Sequence, residues 1–142
     1  MRLTDFSDYS LRLLMYAAAQ NERLITIEET AELYGISRGH LMKVANQLTR
    51  AGFLDAVRGR SGGLRLARRP EQIRLGDVLR VTEPDFALVE CFRGNRTCLI
   101  APCCRLRGLL DEALAAFSDT LDRYTLADLQ LAPADFGIKP AA

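Results

Sequence analysis

The chain has 142 residues, 49% of them hydrophobic, and a formal net charge of +1. That length supports one domain, or one domain with an appended helix, around a real hydrophobic core. The apolar stretch from Leu11 to Ala19 is short and contains Arg12, which excludes a signal peptide and a membrane span and predicts a cytoplasmic protein. The small net charge conceals an asymmetry: residues 1–80 carry 13 Lys or Arg against 9 Asp or Glu, and residues 81–142 carry 6 against 9. Between Arg50 and Arg69 six arginines face one acid, Asp55. A basic block ahead of an acidic half suits a chain that docks a polyanion with one end.

Three helical patterns come first. Phe6, Tyr9, Leu13, Tyr16 and Ala17 trace a stripe at helical spacing over about residues 5–20, with Asp5 as the expected cap. Thr26 to Glu29 forms a capping box that opens a short helix ending near Tyr34, where Gly35 provides a left-handed stop. Ser37 caps a third run through Ala51, with Leu41, Val44, Ala45 and Leu48 inward and Gly52 closing it. Two helices joined by a glycine turn predict a helix-turn-helix, whose second helix enters the major groove. Its outer face offers Ser37, Arg38, His40 and Lys43.

The runs Phe53–Val57 and Leu64–Ala67, joined by Arg58-Gly-Arg-Ser-Gly-Gly63, read as two short strands with a basic, glycine-rich turn. In this order and spacing the pattern is that of a winged helix. A short helix is expected around Leu75–Thr82, stopped by Pro84. Leu106, Leu109, Leu110, Ala113, Leu114, Phe117, Leu121 and Tyr124 then line one face of a helix of roughly twenty residues, about 30 Å long. Such a helix is expected to pair with its copy in a second subunit, because helix-turn-helix proteins usually read palindromes as two-fold dimers. The expected organisation is mainly α: a winged helix-turn-helix domain at 1–83, a cysteine loop at 84–105, a dimerisation helix region at 106–131 and a flexible tail at 132–142.

All four cysteines fall within fourteen residues, Cys91, Cys98, Cys103 and Cys104, among Arg, Gly, Asn and Pro. Buried structural cysteines would be scattered through the core; these point to chemistry. In a reducing compartment metal binding or redox sensing is favoured over a disulfide. A zinc site would want paired CxxC ligands, which are absent, and a catalytic cysteine would want a base, whereas the single histidine, His40, lies on the recognition helix. An iron–sulfur cluster suits thiolates on a partly exposed loop. No catalytic constellation occurs elsewhere, so an enzyme is not expected.

The chain resembles the NsrR-type nitric-oxide-sensing repressors within the winged-helix iron–sulfur regulators, a family that also includes IscR and RirA. The resemblance is carried by Met1–Tyr9, by Tyr34–Lys43 and Asn46–Gly52 through the recognition helix, and by Val57–Leu66 in the wing. Cys98–Leu106 and Tyr124–Leu129 complete it. It implies three cysteine ligands with five residues between the last two, which assigns Cys91, Cys98 and Cys104 and leaves Cys103 as a spare thiol, a substitute ligand or a redox partner. IscR-type proteins place a histidine ligand where this chain has Arg107; the resemblance to NsrR instead implies a carboxylate from the other subunit, at Asp8. The implied cofactor is one cluster per subunit, [4Fe-4S] in preference to [2Fe-2S].

The implied function is a homodimeric repressor on double-stranded palindromic operator DNA, released when nitric oxide attacks the cluster. Ser37, Arg38, His40 and Lys43 are expected at base edges or adjacent phosphates, Arg58, Arg60 and Ser61 in the wing, and Tyr9 on the DNA backbone. Two alternatives remain: a regulator of the RirA or IscR kind that follows iron or cluster status, and a zinc-stabilised interaction module.

Overall fold

A computed structural model of the chain describes residues 1–20, 23–94 and 98–137. Five α-helices and one hairpin make up the main elements among them: α1 (Asp5–Ala19), α2 (Ile27–Tyr34), α3 (Arg38–Arg50), β1 (Leu54–Val57), β2 (Gly63–Leu66), α4 (Leu75–Thr82) and α5 (Leu106–Asp122). The mainly helical, winged helix-turn-helix architecture is the expected one.

Each of the first three helices starts on a side-chain cap. Thr4, Thr26 and Ser37 are extended, and their hydroxyls accept from the N–H groups of Ser7, Glu29 and His40. Such caps contribute about 1 kcal/mol each relative to alanine. The first is Thr4 and not Asp5, since Asp5 has already entered the helix, where its charge suits the positive helix end. Gly35 adopts φ 66°, the left-handed stop that turns α2 into α3. Helix α2 packs on α3, and α1 lies across α3 and α4.

The core is the shared inner face of these helices, Leu13, Leu14, Leu41, Val44, Leu48 and Val78, joined by Ile73 just ahead of α4; all are fully buried. Leu54 of β1 and Leu64 of β2 anchor the hairpin to it. The strands pair antiparallel, Leu54 with Leu66 and Val57 with Gly63. Leu64 also exchanges two hydrogen bonds with Ile25 (2.9 and 2.7 Å), so the segment ahead of α2 acts as a third, one-residue strand. The wing is thereby fixed on both sides of its base.

Glu29 does more than cap. Burial pushes its carboxyl up, but hydrogen bonds from Arg23 and from the Tyr16 hydroxyl, each 2.8 Å, hold it below the usual value. That network fastens α2 to α1.

Two differences from expectation concern the C-terminal part. Helix α5 ends at Asp122 after 17 residues, about 25 Å. Beyond it Tyr124 O accepts from Leu75 N, and Leu126 is fully buried in the core with its N–H on Ile73 O (2.8 Å). Residues 125–129 therefore return to their own domain. The flexible tail expected from residue 132 does not start there: Pro133–Phe136 forms a 3-10 turn, and the Phe136 ring sits edge-on to Tyr16 (5.3 Å) and Tyr34 (6.4 Å). An aromatic residue with two aromatic partners on α1 and α2 supplies enough apolar contact to order the segment. Residues 138–142 lie outside the described residues.

Candidate nucleic-acid interface and cysteine loop

Helix α3 buries Leu41, Val44, Ala45 and Leu48, and so turns Arg38, Met42, Lys43, Asn46 and Arg50 outward. Of the residues expected at DNA, Lys43 is exposed and Ser37 is exposed at the helix cap, where its hydroxyl already accepts from His40 N (3.2 Å). Arg38 is paired with Glu28 of α2 at 2.9 Å, with both side chains about two-thirds exposed. A pair this open is worth little in water, and a phosphate can replace the glutamate.

His40 sits differently from the expectation. Its ring is half-buried, 4.9 Å from Tyr9 in an edge contact and 6.3 Å from Phe6, so it is wedged against α1. Tyr9 is correspondingly half-buried between His40 and Arg12, whose guanidinium lies 5.8 Å from the Tyr9 ring centre. The two residues join α1 to the first turn of the recognition helix. Asn46 lies one turn beyond Met42 on the same outward face.

In the wing, Arg58, Arg60 and Ser61 are all exposed in the turn between β1 and β2. The turn is closed by Gly62 N on Gly59 O (3.0 Å), and Gly59 has φ 109°, open only to glycine. Among the described residues neither Arg58 nor Arg60 has an ion-pair partner, unlike Arg65, which faces Asp55 across the strands at 4.0 Å. Two unpaired guanidinium groups at the tip of a narrow hairpin are placed to meet phosphates or a narrow groove.

The cysteine loop leaves the body after α4. Cys91 lies half-buried in the 3-10 turn Glu90–Arg93; Cys98 and Cys103 are exposed, and Cys104 is half-buried. All four are free thiols. Two tight turns shape the second half, with Ala101 N on Cys98 O (3.1 Å) and Cys103 N on Ile100 O (3.0 Å). The Cys103 thiol donates to Ile100 O at 3.5 Å. Cys104 stands two residues ahead of α5, whose first N–H groups have no side-chain cap. Arg107 is exposed on the first turn of α5.

Within one subunit these sulfurs are not gathered: among the described residues no three Cys, His, Asp or Glu side chains converge as a metal site. Asp8 is on the first turns of α1, bound to Arg12 in its own helix. The donor chemistry nevertheless fits a thiolate-bound iron group, with several free thiols on one turn-rich loop.

Comparison with known proteins bears on both surfaces. The profile of the Rrf2 family, described as an iron-dependent transcriptional regulator, matches residues 3–131. The chain belongs to the Rrf2 family. As a member it is a transcriptional regulator that binds DNA and not an enzyme. Similar proteins include the HTH-type transcriptional regulators NsrR of Bacillus licheniformis, 47% identical over 91% of this chain and 92% of that one, and of Bacillus subtilis, 49% identical over 91% and 90%. Among solved structures, the global cysteine regulator CymR of B. subtilis superposes with a TM-score of 0.74 at 26% identity, covering 91% of this chain and 95% of that one. T. potens IscR superposes at 0.71 and 26%, covering 91% and 85%. These Rrf2 likenesses extend through the cysteine loop and α5, well beyond the winged helix. No helix among the described residues is long and apolar enough to cross a membrane.

Proposed function

We propose that this Rrf2 regulator is a homodimeric, cytoplasmic repressor whose cysteine loop holds one iron–sulfur cluster per subunit and which releases a palindromic operator in response to nitric oxide. The observation that carries the reading is the set of free thiols on one loop, in a chain 47–49% identical to regulators named NsrR. Cys91, Cys98 and Cys104 are the ligands, with Asp8 of the second subunit as the fourth. Cys103, whose thiol is turned to Ile100 O, is the spare. A [4Fe-4S] group is preferred to [2Fe-2S]; when bound it supplies iron that reacts with nitric oxide.

The chain's own residues supply the rest. Leu106 and Leu109, about 60% exposed on α5, form an apolar strip that a second copy would cover. Ser37, Arg38, Lys43, Arg58, Arg60 and Ser61 face the DNA; Tyr9 and His40 act one layer behind, holding α3 to α1. Because Asp8 and Tyr9 are neighbours on α1, a change at Asp8 reaches the recognition helix through one peptide bond and one ring contact. Such a device works only if the ligand distinguishes the two states, and a ligand crossing between subunits does so.

Anaerobic purification tests the proposal. The expected protein is brown, loses its visible absorption on Cys98→Ala, keeps it on Cys103→Ala, and leaves its operator when nitric oxide is added. A colourless, zinc-containing protein would sink it. The family's description as iron-dependent and the likeness to IscR favour a second reading, a response to iron supply. Operator release on iron withdrawal, with indifference to nitric oxide, selects that reading.

A further inference from the structure

At the root of the cysteine loop, the last residue of α4, Thr82, and the residue after it, Glu83, are bound to the start of α1. Glu83 Oε1 accepts two hydrogen bonds from Thr4, one from the backbone N–H (2.8 Å) and one from the hydroxyl (3.0 Å). One turn further the hydroxyls of Ser7 and Thr82 meet at 2.8 Å. Thr82 donates onward to Val78 O (3.0 Å), so Ser7 is the donor in that pair. Ser7 is fully buried and Thr82 nearly so. Thr4 in turn caps α1 by accepting from Ser7 N. The four side chains form a satisfied polar clasp between segments more than seventy residues apart in sequence.

The placement of this clasp is informative. Thr4 could cap α1 without Glu83, because the cap uses the threonine oxygen and not its hydrogens. The added carboxylate ties the cap to the residue from which the cysteine loop departs. Four residues along α1 stands Asp8, and next to it Tyr9, which touches His40 of the recognition helix. Hydrogen bonds hold only over a narrow range of distance and angle, so the clasp resists sliding or rotation of α1 on α4 more sharply than apolar contact would.

The geometry points to Glu83 as a positioning residue that makes the root of the cysteine loop, α1 and the first turn of α3 move as one body. It passes the state of the loop to the DNA-binding surface and is not itself an iron ligand. This inference rests on the cluster reading of the loop given above. Without the clasp the loop can hold its iron while α1, and with it His40, no longer follows.

The test compares operator affinity of the full-length protein with and without its cluster, for wild type, Glu83→Ala, Glu83→Gln and Thr82→Val. Visible absorption reports loading, and hydrogen exchange of the amides of residues 4–8 is followed in the cluster-free protein. Wild type is expected to show a loaded-to-free ratio in the range of linked sites, roughly 5- to 150-fold. Glu83→Ala should load its cluster yet bring the ratio to within about twofold of one, far below that range, with faster exchange at the start of α1. Glu83→Gln, whose amide oxygen can still accept both bonds from Thr4, should keep most of the ratio. Thr82→Val, nearly isosteric, should lower the ratio in the same direction and supplies the measurement if Glu83→Ala fails to fold or load. A purely structural role would lower the melting temperature in both states and leave the ratio intact. A wild-type ratio in Glu83→Ala, or in Thr82→Val where that variant stands in for it, overturns the inference, as does a glutamine variant no better than alanine. A wild-type protein with no ratio at all removes the cluster reading and the clasp's role together; a normal wild-type ratio kept in the alanine variant removes the clasp's role alone.

Discussion

Both carboxylate oxygens of Asp8 are held by the guanidinium of Arg12: Nε donates to Oδ1 at 3.1 Å and a terminal nitrogen to Oδ2 at 2.8 Å. The same guanidinium lies 5.8 Å from the ring centres of both Tyr9 and Tyr34. Asp8 is thus satisfied inside its own helix, and any role toward a second subunit requires exchange of these bonds. With both side chains 43% exposed, a pair spaced four residues apart contributes only about 0.3–0.5 kcal/mol. Arg12 can therefore release Asp8 at small cost.

It follows that Asp8→Ala should separate a ligand role from a structural one. The cluster-free variant should melt less than about 4 °C below wild type, since the pair and the helix-end charge together contribute roughly 1 kcal/mol. The loaded variant should show an altered visible circular dichroism spectrum. An unchanged spectrum would count against Asp8 as a ligand.

Arg58 and Arg60 have no ion-pair partner among the described residues, so their full charge is available to phosphate. Arg60→Ala should weaken operator binding and lower the slope of log affinity against log salt by about 0.9 for each phosphate left without its cation. Binding measured at several salt concentrations checks this. A parallel line displaced downward would instead mean that Arg60 contributes without neutralising a phosphate.

The Tyr9–His40 edge contact should couple α1 to α3 energetically. A double-mutant cycle with Tyr9→Leu and His40→Ala, read by urea unfolding of the cluster-free protein, should give an interaction of about 0.5–1.5 kcal/mol, as expected for an aromatic pair of this geometry. Additive single effects would deny the contact any role in linking the helices.

High pH should loosen the junction of α1 and α2. Burial pushes the Tyr34 phenol up to about 12, outweighing the pull of nearby Arg12, and its hydroxyl donates to Arg12 O at 2.9 Å. A folded pKa above the ordinary value of 10 means that the stability tied to the neutral phenol is complete below pH 10 and lost as pH rises toward 12. Tyr16, raised by burial and by its bond to Glu29, acts in the same direction. Tyr34→Phe should lower stability at neutral pH by about 0.5–1.5 kcal/mol and flatten, without abolishing, the alkaline decline. Denaturant melts at pH 8 and above measure both effects.

The helix-turn-helix and the wing were legible because their signals are local. Thr26, Ser37 and Gly35 each set a helix end by bonding or bending within four residues, and the basic turn from Arg58 to Gly63 needs no distant partner to form. The clustering of Cys91, Cys98, Cys103 and Cys104 was likewise visible, because short spacing keeps side chains on one loop whatever the fold. Periodicity also showed the apolar face of α5, but overextended the helix past Asp122, where Leu126 instead returns to the core.

What residue types and spacing alone determined is the order of the elements, the winged helix-turn-helix in outline and the kind of chemistry the loop can support. Only the tertiary structure decided that His40 is wedged against Tyr9, that Asp8 rests on Arg12 and that Glu83 grips Thr4. Two of these join residues from different elements, and their meeting depends on how helices dock and which way each side chain leaves its helix. The Asp8–Arg12 spacing was visible in the sequence, but the tyrosines flanking Arg12 were not. Local pattern sets where a helix begins and which face is apolar; the partner each polar side chain finds across the core is settled by packing.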